Sequence, residues 1–260
     1  MTQPRNTGLA SGTTEQMPPL TARSVLASAL LGMDPPELPV AQLVRLTDLF
    51  GISENRARVA LSRMVASGEA TSDGAGHYRL AGHLAARQSR QSASRAGTTT
   101  PYDGEWWLAV VTTTGSSADV RGTRRRSLAY GRLAELREGV WMRPANVGLR
   151  LPDALGGDVE LMTARPGDAP GLAHRLWDLR EWSDRASLLL QRLDALVPDG
   201  PEALALGFEL SAAVLRHLQA DPLLPAELLP ADWPGGPLRA DYDQWDDRYR
   251  ATLREWSRAG

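Results

Sequence analysis

From Ala22 to Met33 the apolar side chains Ala22, Val25, Leu26, Ala29, Leu30 and Met33 return every three or four positions, which lines one face of a helix. Thr21 stands where an N-cap belongs, and Asp34-Pro35-Pro36 ends the pattern. Pro39 opens a second, short helix on Val40, Leu43, Val44, Leu46 and Phe50, closed by Gly51. After the tight Gly51-Ile52-Ser53 link, Ser53 caps a third helix that turns Ala57, Ala60, Leu61, Met64 and Val65 inward and stops at Gly68. Glu69 to Ser72 and His77 to Leu80 then flank Asp73-Gly74-Ala75-Gly76, the composition of a hairpin tip. Three helices and a hairpin predict a winged helix-turn-helix.

Residues 83 to 100 scatter Arg87, Arg90 and Arg95 among Ser, Gln and Thr, which suits a frayed helix and a linker. Aromatic and β-branched residues run together in 105 to 113, the mark of a buried strand. An Arg-rich helix over 119 to 131 and strands at 139 to 143 and 159 to 163 complete a small α+β unit. From about 170 the period is helical, interrupted by a Pro-rich crossing from Asp221-Pro222-Leu223-Leu224-Pro225 through Leu229-Pro230 to Trp233-Pro234. The expected organisation is an α+β multidomain chain: a leader without ordered structure at 1–19, a winged-helix unit at 20–82, a linker helix at 83–101, a central unit at 102–168 and a helical C-terminal unit at 169–260.

Composition narrows the chemistry. The 260 residues contain no cysteine, which removes disulfides, thiolate zinc sites and Cys nucleophiles and fits a cytoplasmic protein. No apolar run reaches the roughly 20 residues of a membrane span. All 29 basic residues are arginine. Residues 1–100 carry 10 Arg against 7 acids, 101–165 carry 9 against 8, and 166–260 carry 10 against 16. The net charge of -2 therefore conceals a basic front suited to an anionic partner and an acidic back.

The outer face of the third helix is the strongest functional signal, because a helix enters the major groove and an arginine forks onto guanine. Ser53, Asn55, Arg56, Arg58, Ser62 and Arg63 are the candidate DNA contacts, with His77 and Arg79 of the wing reaching an adjacent phosphate or the minor groove. Arg124, Arg125 and Arg126, with Trp106 and Trp141, are candidates for binding an anionic effector. His77, His83, His174 and His217 have no metal-binding spacing, so no metal or cofactor is expected. Asp241, Asp243, Asp246 and Asp247 read as a solvated helix face. Nucleophile-elbow, phosphate-loop and dinucleotide patterns are absent, and no enzyme activity is expected.

Four ordered motifs carry a resemblance. They are Ile52-Ser53 with Arg56 and Val59-Ala60-Leu61-Ser62-Arg63-Met64-Val65 before Gly68; Asp103-Gly104-x-Trp106 before an apolar strand; Gly139-Val140-Trp141-Met142-Arg143-Pro144; and Asp221-Pro222-Leu223-Leu224-Pro225 with Leu228-Leu229-Pro230 and Trp233-Pro234. Over nearly its whole length the chain resembles the PaaX family of phenylacetic-acid-degradation repressors. It departs from that pattern at Thr112 to Ser117, where family members usually carry an acidic, Pro-containing turn.

The resemblance implies a winged helix-turn-helix, a central ferredoxin-like (Cas2-like) domain and a helical C-terminal domain. It also implies a homodimeric repressor of double-stranded DNA operators released by phenylacetyl-coenzyme A or another acyl-CoA. Two rival expectations are a metal-dependent nuclease, prompted by the Cas2-like likeness, and a winged-helix scaffold that binds proteins.

Overall fold

The computed structural model describes residues 21–33, 35–149, 155 and 157–258. The leader expected at 1–19 lies outside the described residues. The chain is α+β, mostly helical, with two small antiparallel sheets.

Helix α1 (Ala22–Leu31) begins as its sequence predicts: the Thr21 hydroxyl accepts from the Ser24 amide at 3.1 Å, and the Ser24 hydroxyl accepts from the Thr21 amide at 2.8 Å. Helices α2 (Val40–Asp48) and α3 (Glu54–Ala66) pack on it. Strands β2 (Ala70–Ser72) and β3 (His77–Leu80) form the expected hairpin, and a strand not expected from the sequence, β1 (Glu37–Pro39), adds to its free edge in the order β1-β3-β2. Pro39 ends that edge strand, where its missing N–H leaves no ladder bond unmade. Val65, expected to face inward, is 38% exposed; at 100° per residue it falls between Leu61 and Arg58, at the edge of the buried face.

Helix α4 (Gly82–Ala96) packs along α8 and ends at Gly97 in the left-handed conformation. The second sheet follows: β4 (Trp106–Val111), α5 (Ala118–Tyr130), β5 (Ala134–Arg137), β6 (Val140–Pro144) and β7 (Val159–Ala164), with strand order β5-β6-β4-β7 and every pairing antiparallel. The C-terminal helices are α6 (Ala169–Leu176), α7 (Leu179–Ala195), α8 (Gly200–Gln219) and α9 (Gly235–Arg258), the last two joined by the Pro-rich crossing.

One apolar cluster runs from Leu26, Leu30, Leu43 and Leu61 at the front to Leu204, Leu210, Tyr242, Trp245 and Tyr249 at the back. A second, around Trp106, Met142, Leu172, Leu179, Leu224 and Leu228, fixes the central sheet to α6 and the crossing. The helix α9 stripe also corrects a reading: Asp246 is not solvated but 1% exposed, within ion-pair distance of Arg95 and Arg250.

The motifs at Gly139 to Pro144 and Asp221 to Pro225 meet in a buried polar joint. Asn146 donates to the Leu223 carbonyl at 2.9 Å, and the buried Arg143 guanidinium donates to the Pro144 carbonyl at 3.0 Å and more loosely to Asn146 and Leu223. Burial, aided by the charge of Arg132, pushes the Arg143 pKa down to about 10, so it remains a cation at neutral pH. Asp221 accepts from Arg239 at 2.9 Å.

His217 gives the back half a pH dependence. Its Nε2 donates to the Trp182 carbonyl at 3.0 Å, and its ring stacks on Trp182 with centroids 4.3 Å apart. Burial is the main cause that lowers its pKa, so the folded state prefers the neutral ring and the unfolded chain binds more protons. The stability this residue contributes is full above the ordinary histidine pKa of about 6.5 and falls as pH drops below it. Urea midpoints taken at about pH 7.5 and pH 5.5 should fall further in the parent chain than in His217→Gln.

Candidate nucleic-acid interface and effector pocket

Helix α3 is aimed by the turn before it. Gly51 holds a positive φ of 64°, which glycine adopts without strain, and Ile52, 3% exposed, anchors the link as its amide donates to the Thr47 carbonyl at 3.2 Å. Ser53 occupies the N-cap position in extended backbone, but its side chain makes no capping bond. It stays exposed beside the first turn.

Ala57, Leu61 and Met64 are buried on one side of α3. Asn55, Arg56, Arg58, Val59, Ser62 and Arg63 are all exposed on the other. At 100° per residue these six fall within an arc of about 160°, with Asn55, Val59 and Ser62 along its middle. Arg56 and Arg63 share one flank and have no ion-pair partner among the described residues. Arg58, on the other flank, pairs with Glu54 at 2.7 Å in solvent, worth a few tenths of a kcal/mol at most in that setting and easily exchanged for a phosphate. Val59 is 42% exposed; an apolar side chain amid polar ones on this face fits a thymine methyl. Its place between Arg56 and Arg63 was the signal for it in the sequence.

The wing is less free. The Asp73 carboxylate accepts from the Ala75 and His77 amides at 2.8 and 2.9 Å, and lies 3.2 Å from His77 Nδ1. The backbone bond from His77 is the largest cause that holds the Asp73 pKa below its usual value. Arg79 lies across from Glu37 of β1 and its Nε donates to that carboxylate at 3.0 Å. His77 and Arg79 therefore share one exposed strand face, each already held by an acid. Binding a phosphate there requires a change of partner.

The effector candidates divide. Arg124, Arg125 and Trp141 border one cavity of about 480 Å³ between α5 and the β5–β6 hairpin. Arg124 is 5% exposed and donates to Thr113, to Ser116 and, at 2.7 Å, to Asp158. Arg125 pairs with Glu135, its guanidinium 5.8 Å from the Trp141 ring centroid. Two of the cavity's three arginines are thus already matched to acids, and the third, Arg121, donates to the Ser116 carbonyl. Arg126 points elsewhere and meets Thr123. Trp106 is fully buried in the other apolar cluster, its indole donating to the Tyr102 hydroxyl at 2.8 Å. No group of three His, Asp or Glu among the described residues is placed to hold a metal ion. No helix of the described residues is long and apolar enough to cross a membrane.

The model of the PaaX-like protein family matches residues 21–84, and that of the PaaX-like C-terminal domain matches residues 177–259. Among solved structures, the uncharacterized protein Rv0674 from Mycobacterium tuberculosis is similar at 41% sequence identity with a TM-score of 0.74, over 92% of this chain and 99% of that one. No match was found among curated proteins.

Proposed function

Since the chain belongs to the PaaX-like protein family, a family of transcriptional regulators, we propose that it is a sequence-specific DNA-binding repressor of a catabolic operon, acting in the cytoplasm as a homodimer. The observation that carries the reading is the outer face of α3, where Arg56 and Arg63 flank Asn55, Val59 and Ser62 with no acid among the described residues engaged to either arginine. We read α1 to α3 with the β1-β3-β2 sheet as a winged helix-turn-helix. The second sheet has the strand order of a ferredoxin-like domain with one crossover helix, α5, and we read it as the central, Cas2-like unit of the same plan.

In this reading a palindromic operator receives one α3 from each protomer, half-sites one helical turn or a multiple apart. Phosphate contacts set affinity and base contacts set sequence. An acyl-CoA, phenylacetyl-coenzyme A first among them, relieves repression by binding the DNA-incompetent arrangement more tightly; equal affinity for both arrangements shifts nothing.

The test is a fluorescence-anisotropy titration against the duplex upstream of the chain's own gene and against a scrambled duplex, over a salt series. Removing a base-contacting arginine should cost about 1–3 kcal/mol on operator only, whereas removing a phosphate contact weakens both duplexes alike and flattens the salt slope by about one. Arg56→Ala and Arg63→Ala are expected to show the first pattern. Unchanged affinity of both variants for both duplexes overturns the assignment of α3.

A further inference from the structure

Among the described residues, Arg132 and Leu223 are the two non-glycine residues with positive φ, 60° and 50°, a region that a residue with a Cβ occupies at a cost. Both belong to the buried polar joint. The Arg132 guanidinium, from the turn between α5 and β5, donates to the Asp221 carbonyl, to the Gln219 carbonyl at 3.1 Å and to the Ser94 hydroxyl at 2.8 Å. Two residues after Asp221, the Leu223 carbonyl accepts from Asn146 at 2.9 Å and from Arg143 at 3.4 Å.

The joint is also short of negative charge. Arg132, Arg143 and Arg239 enter it against one carboxylate among the described residues, Asp221, which Arg239 holds at 2.9 Å. Burial lowers the Arg132 pKa, with Asp221 opposing that shift and the charge of Arg239 adding to it; burial and then the charge of Arg132 do the same to Arg143. Strain and like charge therefore work against a small set of hydrogen bonds. What holds Leu223 in place is local. The Asp221 carboxylate accepts from the Leu223 amide at 2.9 Å, Pro222 and Pro225 stiffen the chain on either side, and Leu224 is buried in the cluster around Trp106.

We propose that this joint is a strained latch between the central sheet and the helical body. Latched, as in this structure, Asn146 and Arg143 hold the Pro-rich crossing to β6. Released, Leu223 returns to right-handed or extended backbone, its carbonyl turns away from both donors, and the sheet is free to turn about the crossing. The first arrangement makes the hydrogen bonds; the second relaxes the backbone and lets the guanidiniums separate. Opposed terms of this kind leave a minor state populated. A corner that served packing alone could carry glycine or asparagine at 223 without the strain.

The location gives the latch a consequence. The crossing joins α8 to α9, and these two helices share one apolar cluster with α1 and α3. Helix α3 is thereby fixed to the helical body, whereas the central sheet packs on a separate cluster with α6 and the crossing. Releasing the latch turns the sheet relative to α3, so whatever grips the central unit acts on how α3 is presented to a duplex. This consequence rests on the regulator reading above; the latch does not.

The chain contains no cysteine, so spin labels on Thr163→Cys of β7 and Ser187→Cys of α7, both exposed positions, read the distance between the central sheet and the helical body. The labelled full chain is diluted into unlabelled chain so that pairs within one chain are measured. Two distance populations are expected. Leu223→Gly and Leu223→Ala remove the same side chain beyond Cβ, and glycine alone relieves the left-handed backbone. The ratio of latched to released chains should be at least about fivefold higher in the glycine variant than in the alanine variant. The glycine variant should also melt above the alanine variant, the reverse of their usual order. Asn146→Ala, which deletes the shorter bond to the Leu223 carbonyl, should enrich the released population. A single population common to the parent and all three variants overturns the proposal, as do equal ratios in the glycine and alanine variants. Operator affinity is measured on the same preparations, where Leu223→Gly and Asn146→Ala should shift it in opposite directions. Operator binding that depends on Arg56 and Arg63, with one unchanging distance, sinks the latch alone; opposite shifts in distance without binding to any duplex sink the regulator reading alone.

Discussion

Asp246→Ala is expected to destabilise the chain by about 3–5 kcal/mol, the usual cost of removing one partner from a buried ion pair and leaving the other uncompensated. Asp246 is 1% exposed. Its Oδ2 accepts from Arg95 of α4 at 2.6 Å and from Arg250, one turn along α9, at 2.8 Å. Arg95 also lies 5.0 Å over the Tyr242 ring, so this carboxylate fastens the end of α4 to the middle of α9. Without it Arg250 loses the carboxylate that holds it and Arg95 is left with Asp243 alone. Asp243→Ala is the control: that carboxylate meets the same arginine at 2.5 Å but its side chain is 51% exposed, and exposed pairs contribute about 1 kcal/mol or less. Urea unfolding of both variants checks the contrast; equal, small losses would show that Arg95 is content with Asp243 alone.

That ion pair also marks a limit of reading charge from a sequence. Four aspartates within 241 to 247 look like a solvated face when counted as a cluster. Placed on the helical period, Asp246 falls in the stripe of Tyr242, Trp245, Tyr249 and Leu253, all buried. The signal was present, as an acid on an apolar stripe, but its resolution depends on Arg95, 151 residues away in sequence. Helices with caps and a clean apolar period, such as α1 and α3, were legible for the opposite reason: each is specified within its own dozen residues. Strands β1 and β5 were not, because three or four residues are too few to show alternation, and β1 is a strand only because β3 lies beside it.

The candidate DNA-reading face was legible residue by residue, since one helical wheel decides which side chains turn outward. Its electrostatics were not. Arg56, Arg58, Arg63 and Arg79 are equivalent letters in the sequence, yet Arg58 meets Glu54 at its own i,i+4 spacing, Arg79 meets Glu37 through a strand pairing, and Arg56 and Arg63 meet neither. The effector candidates separated for a related reason. Arg124 and Arg125 both turn to one cavity because α5 lies flat on the sheet, while Trp106 and Trp141, both on central strands, belong to different apolar clusters.

Trp106 itself supplies the second large effect: Trp106→Ala should cost about 3–5 kcal/mol, the range for deleting a buried large aromatic, and lower the melting temperature by roughly 10 °C in a chain of this size. The side chain is fully buried among Met142, Leu172, Leu179, Leu224 and Leu228, and 6.2 Å separates its ring centroid from that of Trp177. Its removal opens a void shared by the central sheet, α6 and the Pro-rich crossing, and it strands the Tyr102 hydroxyl that accepts from the indole at 2.8 Å. Trp106→Phe keeps most of the packing and should lose less than half as much. Because Trp106 does not border the cavity between α5 and the β5–β6 hairpin, the phenylalanine variant should retain the parent affinity for phenylacetyl-coenzyme A. A stable Trp106→Phe protein with thioester affinity lowered tenfold would return Trp106 to the effector site and remove it from a purely packing role.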